Sequence, residues 1–266
     1  SPPGSVRAQV QNAKGWLGIG LQAASADEQG KLDVKRPVPR VTQVFRGSPA
    51  DDAGIQAGDF VMALMSEPVL STSDLIARVG AQKPGSQLIV KLFRPGRTKS
   101  FDVPVMLGVR PGIQGLIKKQ WLNRKLPNVT FTQLGDKAST LETKTLYSRA
   151  KLTIVDYFAT WCYPCKKSVP GLKALLTRYK SSGLQIVALS SEKAPVLRRY
   201  MAKSQLPYPV MSDKAGEFSS KTMSSVLPTF WLVDSDGVVK DVLFGAGNEK
   251  RMEAIVRKQL APSSGN

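Results

Sequence analysis

Two cysteines, Cys162 and Cys165, are the residues of this sequence best suited to chemistry, and they are its only cysteines among 266 residues. Residues 152–158 are apolar and rich in β-branched and aromatic side chains, which predicts a buried strand, and residues 166–180 carry apolar residues at helical spacing. A cysteine at the start of a helix lies near unpaired amides and the positive end of the helix dipole, which stabilise a thiolate. Cys165, one turn later, can attack a mixed disulfide on Cys162. The pair therefore indicates thiol–disulfide exchange.

Two structural uses of the pair fit less well. A disulfide that closes a two-residue loop removes little chain entropy. A zinc site needs two further thiolates or imidazoles, and the sequence has no other cysteine and no histidine. The lack of histidine also excludes Ser-His-Asp and Cys-His proteases. Binding of Cu(I) by the two soft sulfur atoms stays open as a third use.

The composition describes a basic chain of two ordinary domains. A hydrophobic fraction of 42% is enough for two cores, and no apolar run approaches the ~20 residues of a membrane span. The net charge is +18, and residues 1–126 and 127–266 each carry nine more basic than acidic residues. Even spreading argues against a nucleic-acid partner and favours a solvated basic surface, which would suit acidic partners or an anionic membrane. The sequence begins at Ser1 without methionine, which is compatible with a secretion signal or membrane anchor upstream.

The first half of the chain alternates short strands, turns and short helices. Residues 15–21 and 40–46 have the pattern of strands. Ser48 is suited to cap a short helix with Pro49 at its first position, and Gly54 is suited to end it. Two further elements are a helix from Ser71 or Ser73 through Val79 and a hairpin of strands 87–94 and 99–107.

Residues 15–108 resemble a PDZ domain of the bacterial HtrA-associated kind. The resemblance rests on Trp16-Leu-Gly-Ile19, which matches the carboxylate-binding loop, and on the stretch from Ser48-Pro-Ala to Ala57-Gly-Asp-Phe-Val61. It implies a β-sandwich-like barrel with two helices and a groove between strand 17–21 and helix 73–79. An extended or C-terminal peptide would add a strand there, with its carboxylate against backbone amides. The candidate groove residues, some of which must serve the core, are Trp16, Leu17, Gly18, Ile19, Leu75, Ile76 and Val79.

A basic linker follows the PDZ-like segment. Residues 116–126 could form a short helix with Ile117 and Trp121 on one side, and they contain four cations and no acid. Such a helix could lie on a membrane surface. The segment is short for that role, so we expect Trp121 to pack against a neighbouring domain.

The second half of the chain predicts an α/β domain. The expected order is strand, strand, helix, strand, helix, strand, strand, helix. Pro170 lies within the helix after the cysteines and predicts a kink. The other predicted elements are strands 128–133, 151–158, 184–190, 229–233 and 238–243 and helices 194–204 and 251–260.

This half resembles the thioredoxin superfamily, most closely the TlpA-like branch of extracytoplasmic thiol–disulfide oxidoreductases. The matching segments are Ala159-Thr-Trp-Cys-Tyr-Pro-Cys-Lys-Lys167, Leu206-Pro-Tyr-Pro-Val210 and Val226-Leu-Pro-Thr-Phe230. The resemblance implies a central mixed sheet flanked by helices. It assigns Cys162 as the exposed nucleophile, Cys165 as the resolving thiol and Trp161 as a shield over the site. Pro228 would be a cis-proline that exposes the backbone of Leu227 to an extended substrate.

One departure from the family pattern leads to a hypothesis. Many TlpA-like reductases carry an acid three residues after the second cysteine, where this chain has Ser168. Asp156 occupies the position at which thioredoxins proper keep a buried acid. A buried carboxylate with a raised pKa could accept and return the proton of Cys165. We therefore expect Asp156 to replace the missing acid, with a purely local hydrogen bond as the alternative.

Together these features predict an extracytoplasmic, periplasmic thiol–disulfide oxidoreductase with a fused PDZ module, by resemblance a reductase. Its partners would be disulfide-containing client proteins, peptides in the PDZ groove and a membrane-borne thiol electron donor. No cofactor is expected besides the redox-active disulfide. The alternatives are a PDZ adaptor or scaffold whose second domain senses redox state, and a copper-handling protein. The predicted segments are a flexible 1–14, the PDZ domain 15–108, the linker 109–126, the thioredoxin-like domain 127–262 and a tail 263–266.

Overall fold

The structure is a computed structural model that describes residues 13–32, 34–134 and 139–261. The predicted flexible ends lie outside the described residues, apart from residues 13 and 14. The chain divides into two compact units, residues 1–120 and 121–266. Within the described residues, no helix combines the length and the apolar character needed to cross a membrane.

The first unit is built on a six-stranded sheet with the order β2-β3-β4-β6-β7, in which β5 also pairs with β4, and on a separate pair of β1 with β8. Its strands are β1 (Gly15–Trp16), β2 (Ile19–Ala23), β3 (Pro39–Val44), β4 (Phe60–Leu64), β5 (Glu67–Pro68), β6 (Gln87–Phe93), β7 (Phe101–Met106) and β8 (Gly108–Val109). Its first three helices are α1 (Ala26–Lys31), α2 (Pro49–Asp52) and α3 (Thr72–Gly80). The barrel-like closure stays a prediction, and α1 is a helix that the predicted count of two did not include.

The short helix α2 has the predicted caps. Ser48 is its N-cap and accepts a hydrogen bond from the Asp51 amide, Pro49 is its first residue, and Gly54 follows its end with φ +75°. Helix α3 begins after Ser71, which accepts from the Asp74 amide, so Ser71 rather than Ser73 is the cap. Both helices therefore form where a hydroxyl satisfies a free amide of the first turn.

The linker helix differs from its prediction. Helix α4 spans Ile113–Trp121, whereas a helix through residue 126 was expected. The prediction that the helix continues to residue 126 is wrong, because Asn123 adopts φ +60°. Residues 123–126 instead hydrogen-bond to a hairpin of the second unit. The Asn123 amide donates to the Val239 carbonyl, and the Leu126 amide donates to the Gly237 carbonyl. Within that unit Trp121 packs edge-on against Trp231, with ring centroids 6.4 Å apart.

The second unit contains a seven-stranded mixed sheet with the order β10-β9-β13-β12-β11-β14-β15. Its strands are β9 (Thr130–Gln133), β10 (Ser139–Glu142), β11 (Leu152–Tyr157), β12 (Leu184–Ser190), β13 (Val210–Ser212), β14 (Thr229–Asp234) and β15 (Val239–Phe244). Its helices are α5 (Thr143–Tyr147), α6 (Tyr163–Tyr179), α7 (Ala194–Ser204), α8 (Glu217–Thr222) and α9 (Glu249–Leu260). The predicted order missed β10, α5, β13 and α8, which have three to six residues each.

The central strands of this sheet are covered on both faces. Strand β11 is buried along its whole length and pairs in parallel with β12 and antiparallel with β14. Leu172 of α6 and Val256 of α9 share one core cluster with Ile154 of β11. On the other face, Phe218 of α8 packs against the rings of Tyr157 and Trp231. The predicted mixed sheet flanked by helices is confirmed.

Candidate active site and peptide-binding groove

The two cysteines lie where β11 passes into α6, and they form a disulfide. Cys162 is the N-cap of α6, and its Sγ accepts a hydrogen bond of 3.2 Å from the Cys165 amide. Helix α6 has 17 residues, so its first-turn amides and its dipole both favour negative charge on that sulfur. On reduction, this position stabilises a thiolate at Cys162.

The expectation of an exposed sulfur at Cys162 is wrong for the disulfide form. Cys162 is 3% and Cys165 2% exposed, and both belong to the buried cluster between the sheet and α6. The reason is local, because the side chain of an N-cap residue turns towards the first-turn amides rather than towards solvent. Cys162 nevertheless lines a surface depression of about 390 Å³.

This depression is the access route to the disulfide. Besides Cys162, it is lined by Trp161, Tyr163, Pro164, Ser225 and Leu227. Trp161 is 72% and Tyr163 66% exposed, so the predicted shield borders the depression and lies mostly in solvent. Neither Tyr163 nor Ser225 was singled out from the sequence. The lining offers a substrate two large aromatic surfaces beside the sulfur.

The segment before β14 presents free backbone to this depression. The Leu227–Pro228 peptide bond is cis, as the resemblance implies. The carbonyl of Pro228 accepts a hydrogen bond from the Gly245 amide. Within the described residues, the amide and carbonyl of Leu227 have no hydrogen-bond partner. Leu227 therefore has both backbone groups available to an extended chain lying over the disulfide.

Asp156 is a buried acid on the cysteine side of the sheet. Successive residues of a strand face opposite ways, so Asp156 shares its face with Ile154 and Phe158, which belong to the same cluster as both cysteines. Asp156 is 4% exposed, and its Oδ1 atom has no hydrogen-bond partner among the described residues. Burial raises its pKa to about 7. The alternative, a local hydrogen bond made by Asp156, does not hold for Oδ1, because that atom has no partner among the described residues.

The charge of Asp156 contributes to raised pKa values of two tyrosines, Tyr208 and Tyr200. Burial raises the pKa of Tyr208, and the charges of Asp156 and then Tyr200 raise it further. The pKa of Tyr200 is raised first by burial and then by Asp156. The Tyr208 hydroxyl, like the free oxygen of Asp156, is buried without a hydrogen-bond partner in the described chain. Ser168, three residues after Cys165, is buried, and its hydroxyl donates a hydrogen bond to the Pro164 carbonyl.

Glu192, which was not singled out from the sequence, braces the loop before Cys162. Its carboxylate accepts hydrogen bonds from the amide of Thr160 at 2.6 Å and from the hydroxyl of Thr160 at 2.8 Å. The Ser190 hydroxyl lies 3.3 Å from the same carboxylate. The carboxyl ends of β11 and β12 are adjacent because the strands are parallel. This adjacency could have predicted the contact, because an acid two residues after β12 can reach the loop that follows β11.

In the first unit, all seven predicted groove residues line one groove of about 720 Å³. Leu17, Leu75 and Val79 also belong to the core cluster of that unit, whereas Ile76 is 62% exposed. Trp16 and Ile19 are half-buried. Three of the candidates therefore serve core and groove together, and Ile76 forms an open wall.

The groove has a free strand edge and a tight turn at one end. Strand β2 is an edge strand of the six-stranded sheet, and among the described residues no strand pairs with its outer side, so a strand can be added there. Gly18 adopts φ +83°, and a Cβ there would lie 2.2 Å from the Ser48 Cβ. Ser48 donates to the Gly18 carbonyl while it caps α2. Among the described residues, the amides of Leu17 and Gly18 have no hydrogen-bond partner, so they can receive a carboxylate.

The fold and the disulfide at the start of α6 define a thioredoxin-fold thiol–disulfide oxidoreductase. Comparisons with known proteins agree with this class. The sequence model of the Redoxin family matches residues 122–260, and that of the PDZ domain matches residues 15–105. The chain belongs to the Redoxin family and carries a PDZ domain in front. Both resemblances stated from the sequence are confirmed.

Similar proteins match one part of the chain or the other. The thiol–disulfide oxidoreductase ResA of Bacillus cereus is 28% identical over 142 residues, which cover 53% of this chain and 80% of ResA. A DegP-like periplasmic serine endoprotease of Pseudomonas fulva is 32% identical over 111 residues, 41% of this chain and 23% of that protein. Solved structures include StoA from Bacillus subtilis, with 19% identity, a TM-score of 0.40 and coverage of 48% of this chain and 96% of StoA.

Proposed function

We propose that this oxidoreductase reduces disulfides of extracytoplasmic proteins and that its PDZ groove recruits the clients. The observation that carries the reductive direction is the buried, unpartnered carboxylate of Asp156 on the cysteine face. Reduction requires Cys165 to lose its proton inside the protein, and a carboxylate near neutrality is suited to accept it. An extracytoplasmic location is supported by the similarity of the second unit to ResA and of the first to a periplasmic protein.

The reaction proceeds through two thiol–disulfide exchanges. The Cys162 thiolate attacks one sulfur of the client disulfide, forming a mixed disulfide and releasing the first client thiolate. Asp156 accepts the proton of Cys165, whose sulfur then attacks the Cys162 sulfur. The second client thiolate leaves, and the Cys162–Cys165 disulfide forms. Two electrons have passed to the client, which gains two thiols after protonation.

A second dithiol must then return two electrons to the enzyme. We assign this task to a membrane-borne thiol donor that reaches the Cys162 sulfur through the same depression. No additional redox group enters these steps, because the dithiol itself carries the electrons. Within the described residues, no group of three or more histidine, cysteine or acidic side chains could hold a metal ion.

The client is positioned by backbone and groove contacts. The free amide and carbonyl of Leu227 pair with an extended client segment beside Trp161 and Tyr163. A second client segment adds a strand to β2 in the groove of the PDZ domain. Tethering of this kind raises the effective concentration of a client to about the millimolar range for a short flexible connection.

The test compares reduction of one disulfide client with and without a groove-binding tail. Ile76→Glu places a charge in the open wall of the groove, and Leu70→Glu is the matched control, because both residues are 62% exposed and Leu70 lies outside the groove lining. We expect Ile76→Glu to lower kcat/KM for the tailed client by about tenfold and to leave the tailless client unchanged. Equal kcat/KM values for the two clients in the wild-type protein would contradict recruitment.

A further inference from the structure

The groove of the PDZ domain extends beyond the segment that the PDZ family model matches. Arg110 and Leu116 line it, although the match ends at residue 105. Strand β8 brings this segment back beside β1, with Gly15 opposite Val109 and Trp16 opposite Gly108. Lys14 directly precedes Gly15 and Arg110 directly follows Val109, so both residues lie just beyond the same end of this strand pair. Both side chains line the groove, and both residues are exposed.

In the part of the chain that the structure describes, the groove end beside the Leu17–Gly18 turn is therefore positively charged. The described lining residues include two cations and no acidic residue. Lys14 and Arg110 make no ion pair or hydrogen bond with any described residue. Two like charges at the same end of a groove repel each other. An anionic ligand at this end removes that repulsion, so binding of negative charge gains more here than at an isolated cation.

Lys14 and Arg110 differ in whether a nearby helix end stabilises their positive charge. A Cβ added to Gly80 would lie 3.8 Å from the Lys14 Cδ, so the Lys14 side chain runs along the carboxyl end of α3. The negative end of that helix dipole partly satisfies its ammonium group. Arg110 follows the short strand β8 and has no helix end of this kind. The charge of its guanidinium is therefore not stabilised by a helix end, and this group can bind a carboxylate through two parallel hydrogen bonds.

The charge at this end exceeds what one peptide terminus supplies. The free amides of Leu17 and Gly18 and one cation suffice for a terminal carboxylate, which leaves the second cation for another anion. We propose that Arg110 makes the groove select extended peptides that carry an acidic side chain in one of their last two residues, next to the free carboxylate. This inference rests on the proposed recruitment of peptides by the groove and adds the charge that those peptides carry.

The experiment measures Kd for fluorescein-labelled octapeptides with the full chain at low salt. One pair of peptides ends in Glu-Val or Gln-Val, and a second pair ends in Val-Glu or Val-Gln, all with free carboxylates. We expect the wild-type protein to prefer glutamate about fivefold in at least one pair, which is typical of a single exposed ion pair. Because the pair is exposed, this preference should shrink as the salt concentration rises.

Arg110→Gln should reduce the glutamate preference to below twofold. Arg97→Gln is the control, because it removes the same charge from an exposed arginine outside the groove lining. No preference in the wild-type protein, or a preference that survives in Arg110→Gln, would overturn the inference. Failure of recruitment itself looks different, since none of the four peptides would then bind and Ile76→Glu would behave as wild type.

Discussion

The carboxylate of Glu192 holds Thr160 through two hydrogen bonds, of 2.6 Å to its amide and 2.8 Å to its hydroxyl. The two residues are 32 positions apart in the chain. They meet because β11 and β12 are parallel neighbours whose carboxyl ends share one edge of the sheet. Thr160 precedes Cys162 by two residues, so the contact fixes the loop from which the reactive sulfur projects.

Removal of this brace should weaken both the fold and the reaction. Glu192→Ala leaves the Thr160 amide and hydroxyl without their acceptor, which we expect to lower the free energy of unfolding by about 1–3 kcal/mol. Turnover of a disulfide client should fall several-fold, because Trp161 and Cys162 lose a fixed position. Urea unfolding and an insulin-reduction assay measure the two effects. Glu217→Ala, which removes only an exposed pair with Lys221, is the control, and equal behaviour of the two variants would refute the bracing role.

The two cysteines should respond differently to replacement. Cys165→Ser retains the nucleophile and lacks the resolving thiol, so it should accumulate a mixed disulfide with the client. Cys162→Ser should form no such adduct, because Cys162 lines the access depression whereas Cys165 is not part of its lining. Non-reducing electrophoresis followed by intact-mass analysis measures the adduct. Accumulation through Cys165 in the Cys162→Ser variant would reverse the assignment of the two roles.

Asp156→Asn should slow the resolution step without affecting the first attack. The amide cannot accept a proton from Cys165, and general base catalysis contributes typically 10²–10⁴-fold. We expect turnover at pH 7 to fall at least tenfold, whereas the alkylation rate of reduced Cys162 with iodoacetamide should stay within about twofold of wild type. Stopped-flow reduction of a client separates the two steps. Unchanged turnover would show that Asp156 has no part in proton transfer.

The same substitution should stabilise the oxidised protein in a manner that depends on pH. Burial raises the pKa of Asp156 from 3.8 to about 7, so between these values the folded chain holds a proton that the unfolded chain has lost. Wild-type stability therefore falls as the pH rises through this window, by roughly 4 kcal/mol in the limit. The gain from Asp156→Asn should be near zero at pH 4 and largest above pH 7. Urea unfolding at pH 4, 6 and 8 measures it, and a gain independent of pH would contradict the buried acid.

Much of the architecture follows from local sequence patterns. The caps at Ser48 and Ser71, the buried strand β11 and the helix after the cysteines all depend on residues close in the chain. The elements that the sequence analysis missed, such as β13 and α8, are three and six residues long and carry little periodicity of their own. Their structure depends on partners in the sheet and the core, which a local pattern does not reveal.

The site could be predicted only where one segment holds the chemistry. The spacing of Cys162 and Cys165 and the strand position of Asp156 were readable, since each lies within a recognisable element. The roles of Glu192 and Arg110 could not be predicted, because each residue comes close to its partners only through the pairing of strands that are far apart in the chain. The burial of Cys162 was also missed, since the orientation of a capping side chain depends on the amides around it.

The most direct test of the proposed reductase is the equilibrium reduction potential of the Cys162–Cys165 pair in the full chain, measured against glutathione at pH 7. We expect a value near that of thioredoxin, roughly −270 mV, at which the reduced enzyme donates electrons to client disulfides. A value near −120 mV would contradict it, because a pair of that potential passes its disulfide to clients and acts as an oxidase.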